Sequence, residues 1–157
     1  MNKQLIFHDK KMDIMLTERA ASQSNKLNSP LIVEIQIYFS CLLGKRLAFY
    51  TGEILEGAWQ VEPELFSSML DDAQQLTGNI YIRFNTVMTK SCHVSDYAGP
   101  PPVTDFKIAN QKPYVPCWLN IDYTNGMWSG EYGWSVSKQG QMNTKQVRGQ
   151  PILAKTS

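Results

Sequence analysis

CWLNIDYTNGMWSGEYGW, residues Cys117 to Trp134, decides the first piece of architecture in this chain. Asn125-Gly126 lies between two runs rich in aromatic and β-branched residues, the strongest short-range signal for a β-hairpin. With both residues at positive φ in a type I′ turn, every cross-strand pair is fixed. Thr124 then faces Met127, Tyr123 faces Trp128, Ile121 faces Gly130, Leu119 faces Tyr132 and Cys117 faces Trp134. Side chains alternate between the faces of a strand. One face therefore carries Cys117, Leu119, Ile121, Tyr123, Trp128, Tyr132 and Trp134 and is expected to be buried. The other carries Trp118, Asn120, Asp122, Thr124, Met127, Ser129 and Glu131 and is expected to be polar and exposed.

Working outward, Asn79 to Lys90 alternates in the same way, with Ile80, Ile82 and Phe84 against Tyr81, Arg83 and Asn85. Leu31 to Phe39 places Leu31, Val33, Ile35, Ile37 and Phe39 on one face and Glu34 and Gln36 on the other, which predicts a strand. Between them, residues 63–76 read as the one main helix. Pro63 suits the first turn, Glu62 and Glu64 suit its positive end, and Gly78 suits the position after its last turn. Leu65, Phe66, Met69, Leu70, Ala73 and Leu76 form its apolar stripe. The order strand, helix, strand, loop, hairpin predicts an α+β domain: an antiparallel sheet with this helix packed on one face, a two-layer sandwich.

The flanks read differently. Residues 1–29 are expected to form a loosely structured arm, with a short strand at Leu5 to Phe7 and a short helix from Met12 to Ala21. Residues 30–135 are expected to form the single α+β domain. Residues 136–157 are polar and read as a disordered tail. The proline-rich stretch 95–116 reads as a long loop, with Val103 to Phe106 as a short edge strand within it.

At 157 residues the chain is long enough for one domain with a real core, and 43% hydrophobic against 18% charged residues is a globular balance. A net charge of +1 argues against a general attraction to nucleic acid or anionic lipid. No apolar run approaches the ~20 residues that span a bilayer, so no membrane partner is expected. Three cysteines without paired spacing, and no basic-then-apolar leader pattern, point to a cytoplasmic location.

Five groups of residues bear on function. On the polar face of the hairpin, Asp122 and Glu131 are diagonal neighbours, about 7–8 Å apart or less; with Trp118 and Asn120 they suit a sugar site or a small hydrolase. Simple solvation of an outer face explains the same alternation. Cys92-His93 pairs a thiol with an imidazole, but adjacent strand residues point to opposite faces. Gly44-Lys45 lacks the first glycine and the Ser or Thr of a phosphate loop. Tyr81, Arg83, Lys90 and Trp118 form a candidate stacking surface for single-stranded nucleic acid. Trp59, inside a segment with six acids and no Lys or Arg between residues 51 and 80, is a candidate interface anchor.

No catalytic set emerges, and no cofactor or metal ligand spacing. The sequence therefore favours a small binding or accessory protein that acts through a protein partner or self-association. The expected contact residues are Trp59, Trp118, Asn120, Asp122, Glu131, Tyr81 and Arg83. Single-stranded nucleic-acid binding and a carboxylate hydrolase are the alternatives.

Overall fold

The hairpin forms as its turn dictates. In the computed structural model, which describes residues 1–39, 43–89, 103–105 and 110–135, β9 (Trp118–Thr124) and β10 (Met127–Gly133) pair antiparallel. Thr124 faces Met127, Tyr123 faces Trp128, Ile121 faces Gly130 and Leu119 faces Tyr132. Asn125 and Gly126 take φ of 53° and 78°, as a type I′ turn requires. Leu119, Ile121, Trp128 and Tyr132 are buried as expected. Trp134 is not: it lies past the end of β10 and is 40% exposed.

Ten strands, two α-helices and a short 3-10 turn (Lys112–Tyr114) are described. Before the hairpin come β1 (Asn2–Phe7), β2 (Lys10–Leu16), α1 (Glu18–Ser24), β3 (Leu31–Phe39), β4 (Leu43–Thr51) and β5 (Trp59–Gln60). Then follow α2 (Pro63–Asp71), β6 (Gln74–Thr77), β7 (Ile80–Thr89) and β8 (Val103–Asp105). The first sheet runs β1-β2-β9-β10; the second runs β5-β4-β3-β7-β6, with β8 also along β7. The fold is α+β and mostly strand. The sheets are mixed, which corrects the antiparallel expectation: β2 runs parallel to β9, β3 to β7 and β4 to β5. β3 is buried on both sides, with Leu31, Ile32 and Val33 all inaccessible, as in an interior strand with a parallel neighbour.

The first 29 residues do not form a loose arm. Met12, Ile14 and Leu16 recur at period two and are buried, so β2 is a strand where a helix was expected. It enters the sheet between β1 and β9. Helix α1 starts only at Glu18, with the hydroxyl of its N-cap Thr17 accepting the Ala20 N–H at 3.1 Å. The main helix is also shorter than expected. α2 ends at Asp71, and residues 74–77 become β6. Gly78, at φ +50°, serves the two-residue link from β6 to β7 instead of following a helix. Leu65 is consequently 54% exposed, while Leu76 is buried from a strand.

Where the helix packs is the largest correction. The apolar faces of β3 and β7 (Leu31, Val33, Ile35, Ile37, Ile80, Ile82, Phe84) do not meet α2. They share one core with Met12, Ile14 and Leu16 of β2 and with Leu119, Ile121, Trp128 and Tyr132 of the hairpin. Burying such side chains contributes about 1.5–3 kcal/mol each, so the hairpin's aromatic face is the other half of this core. Helix α2 packs on the opposite face of the second sheet, where Phe66 and Met69 meet Ile32, Ala48 and Tyr50. No helix among the described residues is long and apolar enough to cross a membrane.

Candidate functional site

The outer face of the first sheet collects four of the seven expected contact residues. Register aligns them in two rows: Gln4, Asp13, Trp118 and Gly133 in one, and Asn2, Met15, Asn120 and Glu131 in the next. Asp122 and Ser129 continue the face beyond.

Trp118 is not an exposed anchor. It is 4% exposed and its ring lies over Gly133, where a Cβ would sit 2.7 Å from it. Its indole N–H donates to the Ser135 carbonyl at 2.7 Å. Asp122 is equally committed. Thr17 Oγ1 donates to it at 2.6 Å, Arg19 reaches both carboxylate oxygens, and its neighbour's main-chain N–H donates at 2.8 Å. Burial pushes this carboxyl up. The hydrogen bonds from Thr17, Arg19 and the Tyr123 N–H, with the charge of Arg19, outweigh burial and hold it below the ordinary range. A carboxyl held low is a poor general acid. Its work here is to tie the start of α1 onto β9, and Asp122 is not the acid of the Asp122–Glu131 pairing.

Beside these residues lies an open depression of about 690 Å³, lined by Asn2, Lys3, Gln4, Asp13, Ile14, Met15 and Asn120. Gln4 Nε2 donates to Asp13 Oδ1 across its floor at 2.6 Å. Asn120 is 2% exposed, and among the described residues its Oδ1 has no hydrogen-bond partner; the same holds for Ser129 Oγ. Among the described residues no three His, Cys, Asp or Glu side chains come together to hold a metal. Side-chain amides and a thioether, with Lys3 and Asp13 of opposite charge, suit the recognition of polar groups.

The two edges of this sheet differ. On β10 the Tyr132 carbonyl accepts from Lys45 Nζ at 2.8 Å, and Leu47 lies against Gly130. Gly57 abuts the backbone of Gly126 to Trp128. Lys45 and Gly57 thus approach that edge. On β1 the Leu16 N–H donates to the Met1 carbonyl at 2.8 Å, which makes the odd-numbered residues the hydrogen-bonded partners of β2. The main-chain groups of Asn2, Gln4 and Ile6 therefore point away from the sheet. Gln74 Nε2 takes the Ile6 carbonyl at 2.6 Å. Among the described residues nothing bonds the outward groups of Asn2 and Gln4.

The other three expected residues belong to the second sheet, so the surface expected for nucleic acid is not assembled. Trp59 and Tyr81 are half-buried against the α2 cluster. Arg83 is buried and paired with Glu34, and its Nε lies 3.2 Å from Asp72. Sequence reasoning missed the setting of that pair. Glu34 (3% exposed), Gln36 (0%) and Arg46 (4%) are as buried as the apolar core. Gln36 Nε2 donates to Glu34 Oε1 at 2.6 Å and to the Tyr50 hydroxyl at 3.1 Å, while its Oε1 accepts from Arg46 Nε at 2.7 Å. Burial, then the Glu34 charge, pushes the Tyr50 phenol up to about 12. Buried ionic groups are retained when paired. Here they link β3, β4 and β7 across two adjacent rows, Glu34 opposite Arg83 and Gln36 opposite Arg46. An Arg opposite a Glu or a Gln on neighbouring strands was the available signal, but it requires the parallel pairing to be known.

Lys90, Cys92, His93, most of the stretch 95–116 and the tail 136–157 lie outside the described residues. Within that stretch Val103–Asp105 forms the expected edge strand, on β7. No protein-family model, curated protein or solved structure matches this chain.

Proposed function

We propose that this protein works by binding a protein partner, and that the partner adds an extended strand to the edge of β1. The observation that carries this is the pair of outward main-chain groups at Asn2 and Gln4, beside the depression on the same sheet. An unpaired edge is a template for another strand: main-chain hydrogen bonds supply affinity, and pockets for alternate side chains supply specificity. β1 is the most exposed strand of its sheet, and on the other edge Lys45 already occupies the outward Tyr132 carbonyl, so addition at β1 is expected.

Proline separates edge pairing from folding. Gln4→Pro removes an outward N–H and leaves the bonds to β2 in place, a position where strands tolerate proline. Leu5→Pro removes an N–H that faces β2. Affinity capture with wild-type and Gln4→Pro baits of matched thermal stability is expected to yield a partner that the variant loses. A partner retained in full by Gln4→Pro rules out this edge.

A further inference from the structure

We infer that the β1 edge selects a strand with an acidic residue facing Lys3 and rejects a second copy of this chain, an inference that rests on strand addition. A strand laid antiparallel on β1 bonds to Asn2 and Gln4. Its residue between them then faces Lys3 in a non-hydrogen-bonded pair, with Cα atoms about 4.5 Å apart. Lys3 is exposed and has no ion pair among the described residues.

The same geometry excludes self-pairing. A two-fold pair that uses both free residues sets Asn2 against Gln4 of the second copy, and so Lys3 against Lys3. Like charges directly opposite are destabilising, and edge lysines are a recurrent guard against edge-to-edge association. Shifting the centre to Gln4 brings in Ile6, whose carbonyl Gln74 already occupies. Shifting it to Asn2 no longer sets the two free residues against each other. The remaining solution is a different chain whose strand reads polar–acidic–polar: the carboxylate opposite Lys3, and the flanking polar side chains on the face that carries Asn2 and Gln4.

Two blocked peptides, acetyl-Val-Thr-Glu-Thr-Val-amide and its Lys-centred counterpart, provide the test. Titration at low salt is followed through the backbone amides of β1 by NMR. The Glu-centred peptide is expected to bind about fivefold tighter. Lys3→Glu is expected to reverse the order, and Gln4→Pro to abolish both. Equal affinities, or an order unchanged by Lys3→Glu, overturn the charge selection while strand addition stands. If neither peptide moves the Asn2 and Gln4 amides, strand addition itself fails. Sedimentation at high concentration is expected to show a monomer; a dimer that Gln4→Pro dissolves overturns the rejection of self.

Discussion

At one end of the first sheet His8 and Asp9 close β1 onto β2 with φ of 50° and 65°; at the other, Asn125 and Gly126 close β9 onto β10 with φ of 53° and 78°. The backbone makes the same left-handed pair of residues twice, with different chemistry. Asn and Gly are the residues that this turn favours. His and Asp enter the left-handed region less readily. The well-made turn belongs to the hairpin that fills the core, with Lys45 and Gly57 against the edge of its sheet. The poorer turn belongs to the exposed hairpin with the open edge. Its strand β2 is held from the other side, through β9, so its turn need not hold the register alone. Where tertiary packing sets the pairing, turn chemistry is free to be weak.

The largest expected effect breaks the buried hairpin. Trp128 is fully buried, stacked on Phe49 at 6.3 Å and tilted against Tyr123 at 4.9 Å. Trp128→Ala is expected to cost about 3–5 kcal/mol in urea denaturation. Ile6→Ala, on exposed β1, is expected to stay within about 0.5 kcal/mol. Comparable losses at the two sites would end the distinction between a core hairpin and a peripheral one.

Asp122 joins the two hairpins, since Thr17 and Arg19 follow β2 and the carboxylate belongs to β9. Asp122→Asn is expected to cost about 1.5–3 kcal/mol, the range for hydrogen bonds to a charged group. The sign of its pH dependence follows from a folded pKa below the unfolded one. The contribution is present above the unfolded value of ~3.9 and is lost as pH falls through the lower folded value. Acid titration of stability is expected to be flatter in Asp122→Asn than in the wild type. Parallel curves would show that the carboxylate's charge is not what ties α1 to β9.

Exchanging the turns tests the comparison directly. Placing His-Asp in the core hairpin, by Asn125→His with Gly126→Asp, is expected to cost about 2 kcal/mol. Gly126 stands at φ 78°, and a Cβ there would lie 2.5 Å from Glu56 Oε2. A melting temperature unchanged by this exchange would show that packing alone sets the β9–β10 register.

The same contrast explains what was legible in the sequence. Asn125-Gly126 fixed a register because few residue pairs accept that turn, and the register placed Trp118, Asn120, Asp122 and Glu131 on one face. His8-Asp9 carries no such signal, so β1 and β2 were read as a loose arm and the open edge at Asn2 and Gln4 went unseen. Alternation identified β3 and β7 and put Glu34 and Gln36 on one face, but it did not say whether that face is buried. Burial of a polar position depends on partners far along the chain, here Arg46 and Arg83, and local period says nothing about them. The end of α2 was missed for a related reason. Ala73 and Leu76 continue the helical spacing, while pairing with β7 pulls residues 74–77 into a strand. For Trp118, sequence supplied the face; its burial over Gly133 became visible only with the strands in place.

The reverse graft, His8→Asn with Asp9→Gly, is expected to have the smallest effect. Relief of left-handed backbone at two residues favours the variant. Glycine's extra freedom in the unfolded chain opposes it by up to about 1 kcal/mol. The His8 ring also meets Phe84 edge-on, with centroids 5.8 Å apart and planes at 72°; such contacts contribute about 0.5–1.5 kcal/mol. These terms nearly cancel, so calorimetry should place the variant within about 0.5 kcal/mol of the wild type. Phe84→Leu separates them: it removes the ring contact and leaves the turn, so the graft made in that background is expected to be stabilising. A graft that stabilises equally in both backgrounds would mean that His8 holds nothing on the second sheet. The poorer turn would then be unused strain, and the two hairpins would differ only in burial.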